Sequence, residues 1–300
     1  MVKIVENIDK ANAVTHCGTM HADEIFATAF LELYLGERLV YRTNNVDNIK
    51  FSEDVLVYDI GRGKFDHHQN DALKRSDGIT YCSFGLLWKE FGKKFLKLQD
   101  IYYVDEVFNF IDKDFVEAID ADDNGSFPKI EAIYKVKTIS SLFKLFNPSF
   151  DSCQDESTQF IRAVDVAKII LEEELTYANG RIQADKKVSE LLENCSEDKY
   201  LILDSFIPYE DTILNSPNGT NILFVAFPSN RGGYAIKTVP KSTEDHTARV
   251  AFPEEWGGKV GEELEKVSGI KGLKFCHTGR FIVSCNNLDT VYKVLDKLCQ

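Results

Sequence analysis

VLVYDIGRGKFDHHQ, residues 55–69, sets an apolar run against Asp59 and, seven residues later, sets Asp66 against the paired imidazoles His67 and His68. A run such as Val55 to Tyr58 reads as a buried strand that delivers its last carboxylate to the carboxyl edge of a sheet, where open α/β folds hold their ligands. The same pattern precedes His16, which follows Ala13-Val14-Thr15, and His21 and Asp23 arrive directly after it in THCGTMHADE. Imidazoles mixed with carboxylates suit a divalent transition metal. Asp59 is the natural bridge if two cations lie ~3.5–4 Å apart, with an open position left for water. The stretch therefore points to a metal-dependent hydrolase on an α/β fold.

Outward from this stretch, apolar runs at 13–17, 38–42 and 55–60 alternate with helical patterns, as in a parallel α/β sheet. The first helix, Asp23 to Leu35, carries one apolar face of Ile25, Phe26, Ala29, Phe30 and Leu33. Thr80 to Leu98 and Ile101 to Ala121 read as two further helices, the second bringing Asp120 near its end with Asn124-Gly125 as a stop signal. Ser157 to Leu192 is helical by period, with an interruption expected at Asn179-Gly180. Strands are expected at 200–203, 221–227, 234–239, 273–276 and 280–285, with helices at 260–268 and 288–298. This gives a catalytic domain over 1–150, a helical connector over 151–197 and a smaller α/β domain over 198–300.

The 300 residues carry 35 Lys and Arg against 48 Asp and Glu, a net charge of −13, which opposes a broad electrostatic grip on duplex nucleic acid. Any nucleic-acid partner is expected to be short, single-stranded or held locally. Seven scattered cysteines, never spaced C-x-x-C, argue against a disulfide framework or a thiolate zinc site and fit a reducing compartment. Cys17 neighbours His16, but adjacent strand residues face opposite ways, so it reads as packing rather than a nucleophile. The opening MVKIVENIDKANAV has no signal-peptide core, and no run approaches ~20 apolar residues. A soluble, intracellular protein without a membrane partner is expected, in the cytoplasm first, with the nucleus and the mitochondrion as alternatives.

The DHH triplet, the aspartate on the preceding strand and the His/Asp cluster after the first strand resemble the DHH phosphoesterase superfamily. The match is closer to its MYG-type exonuclease family, through Thr15, His16, Gly18, His21, Asp23 and Glu24, the DHHQ element, Asp120, Asp123, Asn124 and Gly125, and Leu145-Phe146-Asn147-Pro148. Residues 253–282, with Trp256, Gly269, Ile270, Phe275 and His277, look like that family's second-domain signature, although TGRFIVS follows His277 where the family has a glycine-rich run. The resemblance implies a DHH-type first domain holding two divalent ions, manganese first and magnesium second. One ion would be held by His16, His21 and Asp59, the other by Asp23, Asp59, His67 and an aspartate from IDADDNG (119–125). Asp120 is the expected ligand and Asp123 the support. His68 would act on a phosphate oxygen, with Asp66 orienting an imidazole. His277 and Arg280 would contact substrate, as would Lys237 and the turn at Arg231. Glu24 is read as charge at a helix N-terminus.

The implied activity is hydrolysis of phosphodiester bonds by metal-activated water, trimming RNA or short single-stranded oligonucleotides from the 3′ end. Two other readings stand beside it: a phosphohydrolase for pyrophosphate or a cyclic dinucleotide, and a non-catalytic nucleotide-binding module.

Overall fold

Four short apolar runs pair as a parallel sheet: β1 (Val2–Ile4), β2 (Ala13–His16), β3 (Arg38–Thr43) and β4 (Leu56–Val57), in the order β1-β3-β2-β4. The computed structural model describes residues 1–126, 131–195 and 198–299, and the chain divides into two units, Met1–Gly180 and Arg181–Gln300. Ala13 lies opposite Val40 on one side and Leu56 on the other, so the central β2 and the edge β4 end together and release His16 and Asp59 at one edge.

Helix α1 (Ala22–Leu35) is buried at every position from Ala22 to Glu32, which makes it a core helix rather than an amphipathic surface one. It packs on α2 (Ser83–Leu98), where Phe30 meets Trp88 and Phe95 edge to face, each with ring centroids 5.5 Å apart. The single helix expected over 101–121 is instead α3 (Val104–Ile111), a π-helical segment (Asp112–Val116) and α4 (Glu117–Asp123). π-Helical turns of this kind alter the direction in which following side chains face. Short α5 (Ile139–Phe143) follows, and then α6 (Glu156–Asn194), which runs through the division between the units.

The interruption expected at Asn179-Gly180 is absent, since α6 is continuous through both residues. An interior glycine costs about 1 kcal/mol relative to alanine. Buried Phe160, Val164, Ala167 and Ala178 before it, and Val188 and Leu192 after it, outweigh that cost. Residues 196 and 197, which close the expected connector, lie outside the described residues.

In the second unit β5 (Tyr200–Ile202), β6 (Phe224–Pro228), β7 (Tyr234–Thr238), β8 (Leu273–Cys276) and β9 (Ile282–Cys285) form one mixed sheet, β5-β6-β7-β9-β8. Only β5 and β6 pair in parallel. With them are α7 (Glu210–Asn215), α8 (Gly261–Ser268) and α9 (Leu288–Leu298). Strand alternation separates two cores: Phe224, Ala226 and Ile236 join Trp256 and Val294 in one, and Val225, Phe227 and Ala235 join Val188 and Ile213 in the other. The whole is an α/β fold, with a parallel sheet first, a long helix, and a mixed sheet last.

Candidate metal centre

At the end of β4 the backbone turns at Asp59 with φ of 54°, a left-handed conformation that aspartate adopts more readily than most residues. The Asp59 N–H donates to the Phe65 carbonyl at 2.9 Å, so this turn closes the GRGK loop and sets His67 and His68 beside the carboxylate that precedes them. Asp59 is 4% exposed. Its Oδ2 is 3.1 Å from His16 Nε2, and its Oδ1 is 3.3 Å from His67 Nε2 and 3.6 Å from His68 Nδ1. His67 Nε2 also stands 3.2 Å from Asp123 Oδ2 and 3.8 Å from Asp23 Oδ2, while His16 Nε2 is 3.6 Å from Glu24 Oε1. Three groups result, each compact enough to hold a cation: His16, His21 and Glu24; Asp59, His67 and His68; Asp23, His67 and Asp123.

The far side of each ring decides which nitrogen is free. His16 Nδ1 lies 3.1 Å from the Cys17 carbonyl, and His67 Nδ1 lies 3.2 Å from Asn124 Oδ1. Asn124 donates its amide hydrogens to the Thr80 and Asp120 carbonyls, which turns its oxygen toward His67 as an acceptor. In its neutral form each ring therefore keeps Nδ1–H and offers a bare Nε2, the arrangement by which an outer partner orients a metal-binding imidazole. His16 Nε2, His67 Nε2 and Asp59 Oδ1 are buried and make no hydrogen bond, although both imidazoles lie at ion-pair distance from the Asp59 carboxylate. Buried polar atoms that converge without donor-acceptor alignment are satisfied by a cation placed among them. The donor set, nitrogen mixed with carboxylate oxygen and no thiolate, fits a divalent metal.

The ionisation of the cluster agrees with its geometry. Burial pulls His16 down, but the Asp59 and Glu24 carboxylates prevail and hold it up at about 11. His67 is likewise held up at about 9 against burial by Asp59, Asp23 and Asp123. Burial would raise Asp59, yet His16 and His67 hold it down at about 2. Burial pushes Glu24 up to about 7, and burial together with Asp23 and Asp59 pushes Asp123 up to about 8. The protein thus concentrates more carboxylate than its imidazoles neutralise, and takes up protons where positive charge is lacking.

The residues expected from sequence fall into distinct places. His16, His21, Asp23, Asp59, His67 and His68 are brought together. His21 caps α1, with its N–H donating to the Glu24 carboxylate at 2.9 Å. Asp23 also serves a neighbouring helix, because its carboxylate accepts from Ser83 N and Oγ and from Phe84 N and so caps α2 from outside. Asp66 accepts from His68 Nδ1 at 2.7 Å and from the Arg62 N–H at 2.6 Å, leaving the half-exposed His68 ring with Nε2 free. Asp120 joins none of the three groups. It is fully buried, with Oδ2 accepting from Arg75 Nε at 2.7 Å and Oδ1 from the Cys82 N–H at 2.9 Å. Asp123 occupies the cluster instead. His277 and Arg280 belong to the second unit, in the turn between β8 and β9, where Gly279 N–H donates to His277 Nδ1 at 2.9 Å and Arg280 has φ of 54°.

Sequence reading passed over Asn124 as an orienting group, Glu24 as a candidate ligand and Arg75 as a support. Glu24 was legible from its motif position; Arg75 sits in an aperiodic loop that gives no signal. Also unmarked were Arg62, Ser140 and Lys144, which line a cavity of about 900 Å³ together with His16, Asp59 and His68.

A family model described as "Uncharacterised protein family (UPF0160)" matches residues 12–298. The chain is similar to the MYG1 protein of Dictyostelium discoideum, 28% identical over 296 residues that cover 89% of this chain and 90% of the relative. It is similar to the MYG1 protein of Saccharomyces cerevisiae, 28% identical over 318 residues and 93% of each chain. It is also similar to the MYG1 exonuclease of Homo sapiens, 28% identical over 301 residues, 89% of this chain and 80% of the relative. No solved structure gave a significant match. Among the described residues no helix is long and apolar enough to cross a membrane.

Proposed function

The chain belongs to the MYG1 exonuclease family (UPF0160), and from that premise we propose that it is a metal-dependent phosphodiester hydrolase that trims RNA or short single-stranded oligonucleotides from the 3′ end. The observation that carries this reading is the convergence of His16 Nε2, Asp59 and His67 Nε2, buried and without hydrogen bonds, on the wall of one cavity. On this reading Asp59 would serve both of two divalent ions, manganese in the first instance. His16 and His21, with Glu24 beside them, would hold one, and Asp23, His67 and Asp123 would hold the other. Bound there, the ions supply charge neutralisation and an activated water.

The chain's own residues do the rest. His68 presents Nε2 to a phosphate oxygen, steadied by Asp66 on its other nitrogen, and stabilises the charge that develops there. Asn124 and the Cys17 carbonyl keep His67 and His16 in the ligating tautomer. His277 and Arg280 are assigned to the substrate's non-reacting end.

The test is a panel of end-labelled short RNA and DNA oligonucleotides with manganese, magnesium or chelator. Stepwise loss of 3′ nucleotides that needs metal is expected. Metal-loaded protein that cleaves no phosphodiester would instead make this a binding module.

A further inference from the structure

One wall of the cavity is free of the groups assigned to metal. It is the segment around α5, which contributes Thr138, Ser140, Ser141 and Lys144. Two of its hydroxyls serve the local backbone: Ser141 N–H donates to Thr138 Oγ1 at 3.2 Å, and Ser141 Oγ donates to the Thr138 carbonyl at 2.8 Å. Ser140 Oγ is different, being buried with no hydrogen-bond partner among the described residues. Lys144 is exposed and forms no ion pair with any described residue. Lys113 and Lys168 of the same unit pair with carboxylates, whereas the Lys144 ammonium is left to the cavity.

An unsatisfied hydroxyl and a free cation on one wall form a receptor for an anion. A hydroxyl can donate one hydrogen bond to a phosphate oxygen, and a lysine supplies a mobile point charge with three donors. A ligand that brings its own negative charge is attracted both to Lys144 and to divalent ions on the carboxylate side of the same cavity. At about 900 Å³ the cavity lies toward the upper end of the ~300–1,000 Å³ that encloses a whole drug-sized ligand, leaving room for a nucleoside and a second phosphate.

We propose that Ser140 and Lys144 form a subsite for a second phosphate of the substrate, adjacent to the phosphodiester that is hydrolysed. The enzyme then selects substrates that carry a flanking phosphate over isolated diesters. This rests on the phosphodiester-hydrolase reading above.

The experiment uses the intact chain with manganese and adenylyl dinucleotides bearing a 5′-terminal phosphate, a 3′-terminal phosphate or neither. A charge-assisted contact is worth about tenfold or more. The wild type is expected to show at least that ratio of kcat/KM in favour of one phosphorylated dinucleotide. In Lys144→Gln the ratio should fall toward one, in Ser140→Ala it should fall partway, and Lys144→Arg should retain it. Because each ratio is taken within one variant, general damage to the protein cancels. No preference in the wild type, or a preference that Lys144→Gln leaves intact, overturns the subsite. If no diester is cleaved, the hydrolase reading falls, and calorimetric binding of the same dinucleotides with metal decides the subsite by itself: a terminal phosphate must tighten binding, and Lys144→Gln must abolish that gain.

Discussion

Asp120 and Asp123 stand one turn apart on α4, and the regions they serve are built on opposite rules. Around Asp120 every charge is closed: Arg75 donates to Asp120 and, through both terminal nitrogens, to Asp112 at 2.6 and 2.9 Å, and its guanidinium lies 4.4 Å from the centroid of the Tyr81 ring. Gly85 makes room for this, since a Cβ there would come within 2.2 Å of Asp120 Oδ1. Around Asp123 the contacts are longer, with His67 Nε2 at 3.2 Å from Asp123 Oδ2 and 3.3 Å from Asp59 Oδ1, and His67 Nε2 and Asp59 Oδ1 are left without hydrogen bonds beside a cavity. A buried network that satisfies itself holds the helix; one that does not is arranged for something else to satisfy. Asn124 joins the two, its amide donating to the Asp120 carbonyl on one side and its oxygen holding His67 on the other.

The comparison breaks most visibly at Arg75. Arg75→Met strands the fully buried Asp120 and is expected to cost about 3–5 kcal/mol of folding stability, as breaking a buried pair does. Urea denaturation measures this, and a cost below about 1 kcal/mol would mean the network is not holding α4. Next comes the exchange of roles between neighbours. Asp123→Asn should fold normally and lose about 10²–10³-fold in kcat, because several kcal/mol of metal-dependent stabilisation depend on the ligand set. Asp120→Asn should show the reverse, a lower denaturation midpoint with turnover largely kept. The opposite pattern would make Asp120 the ligand.

Asn124→Ala sharpens the link between the regions. With His67 no longer oriented, metal affinity should fall about 10–100-fold, read by competition with a chelating dye. The smallest effect concerns pH. Without metal, His16 at about 11 and His67 at about 9 are both protonated at neutral pH, above the ordinary histidine value of 6.5. Metal binding must expel those protons, so affinity should rise with pH, by at most about tenfold per proton per pH unit, and flatten only above the raised values. A manganese affinity that is level between about pH 6.5 and 8.5 would show that the imidazoles do not ligate.

Much of the site was legible because its carriers obey simple rules. An apolar run ending in His16 or Asp59 announces a strand with a polar tip, and the DHH triplet follows within one loop. What escaped depends on three-dimensional packing. Asp120 and Asp123 share a helical spacing, and the spacing alone does not say that the first meets Arg75, 45 residues away in sequence, while the second meets His67. The π-helical turn at Asp112–Val116 leaves no periodic mark, and β1 is three residues long, too short for a pattern. Glu24 sits where helix-terminal charge is expected, and it does accept from the His21 N–H, but the same carboxylate also lies 3.6 Å from His16.

The central claim is that Asp59 is the carboxylate shared by the divalent ions on which hydrolysis depends. Free manganese, counted by its electron paramagnetic resonance signal as it is titrated into the intact chain and into Asp59→Asn, tests this most directly, with circular dichroism confirming that both are folded. The intact chain should bind two ions and the variant should bind at least one of them far more weakly, with its oligonucleotide hydrolysis lost. Two manganese ions held equally tightly by a folded, active Asp59→Asn protein would contradict it.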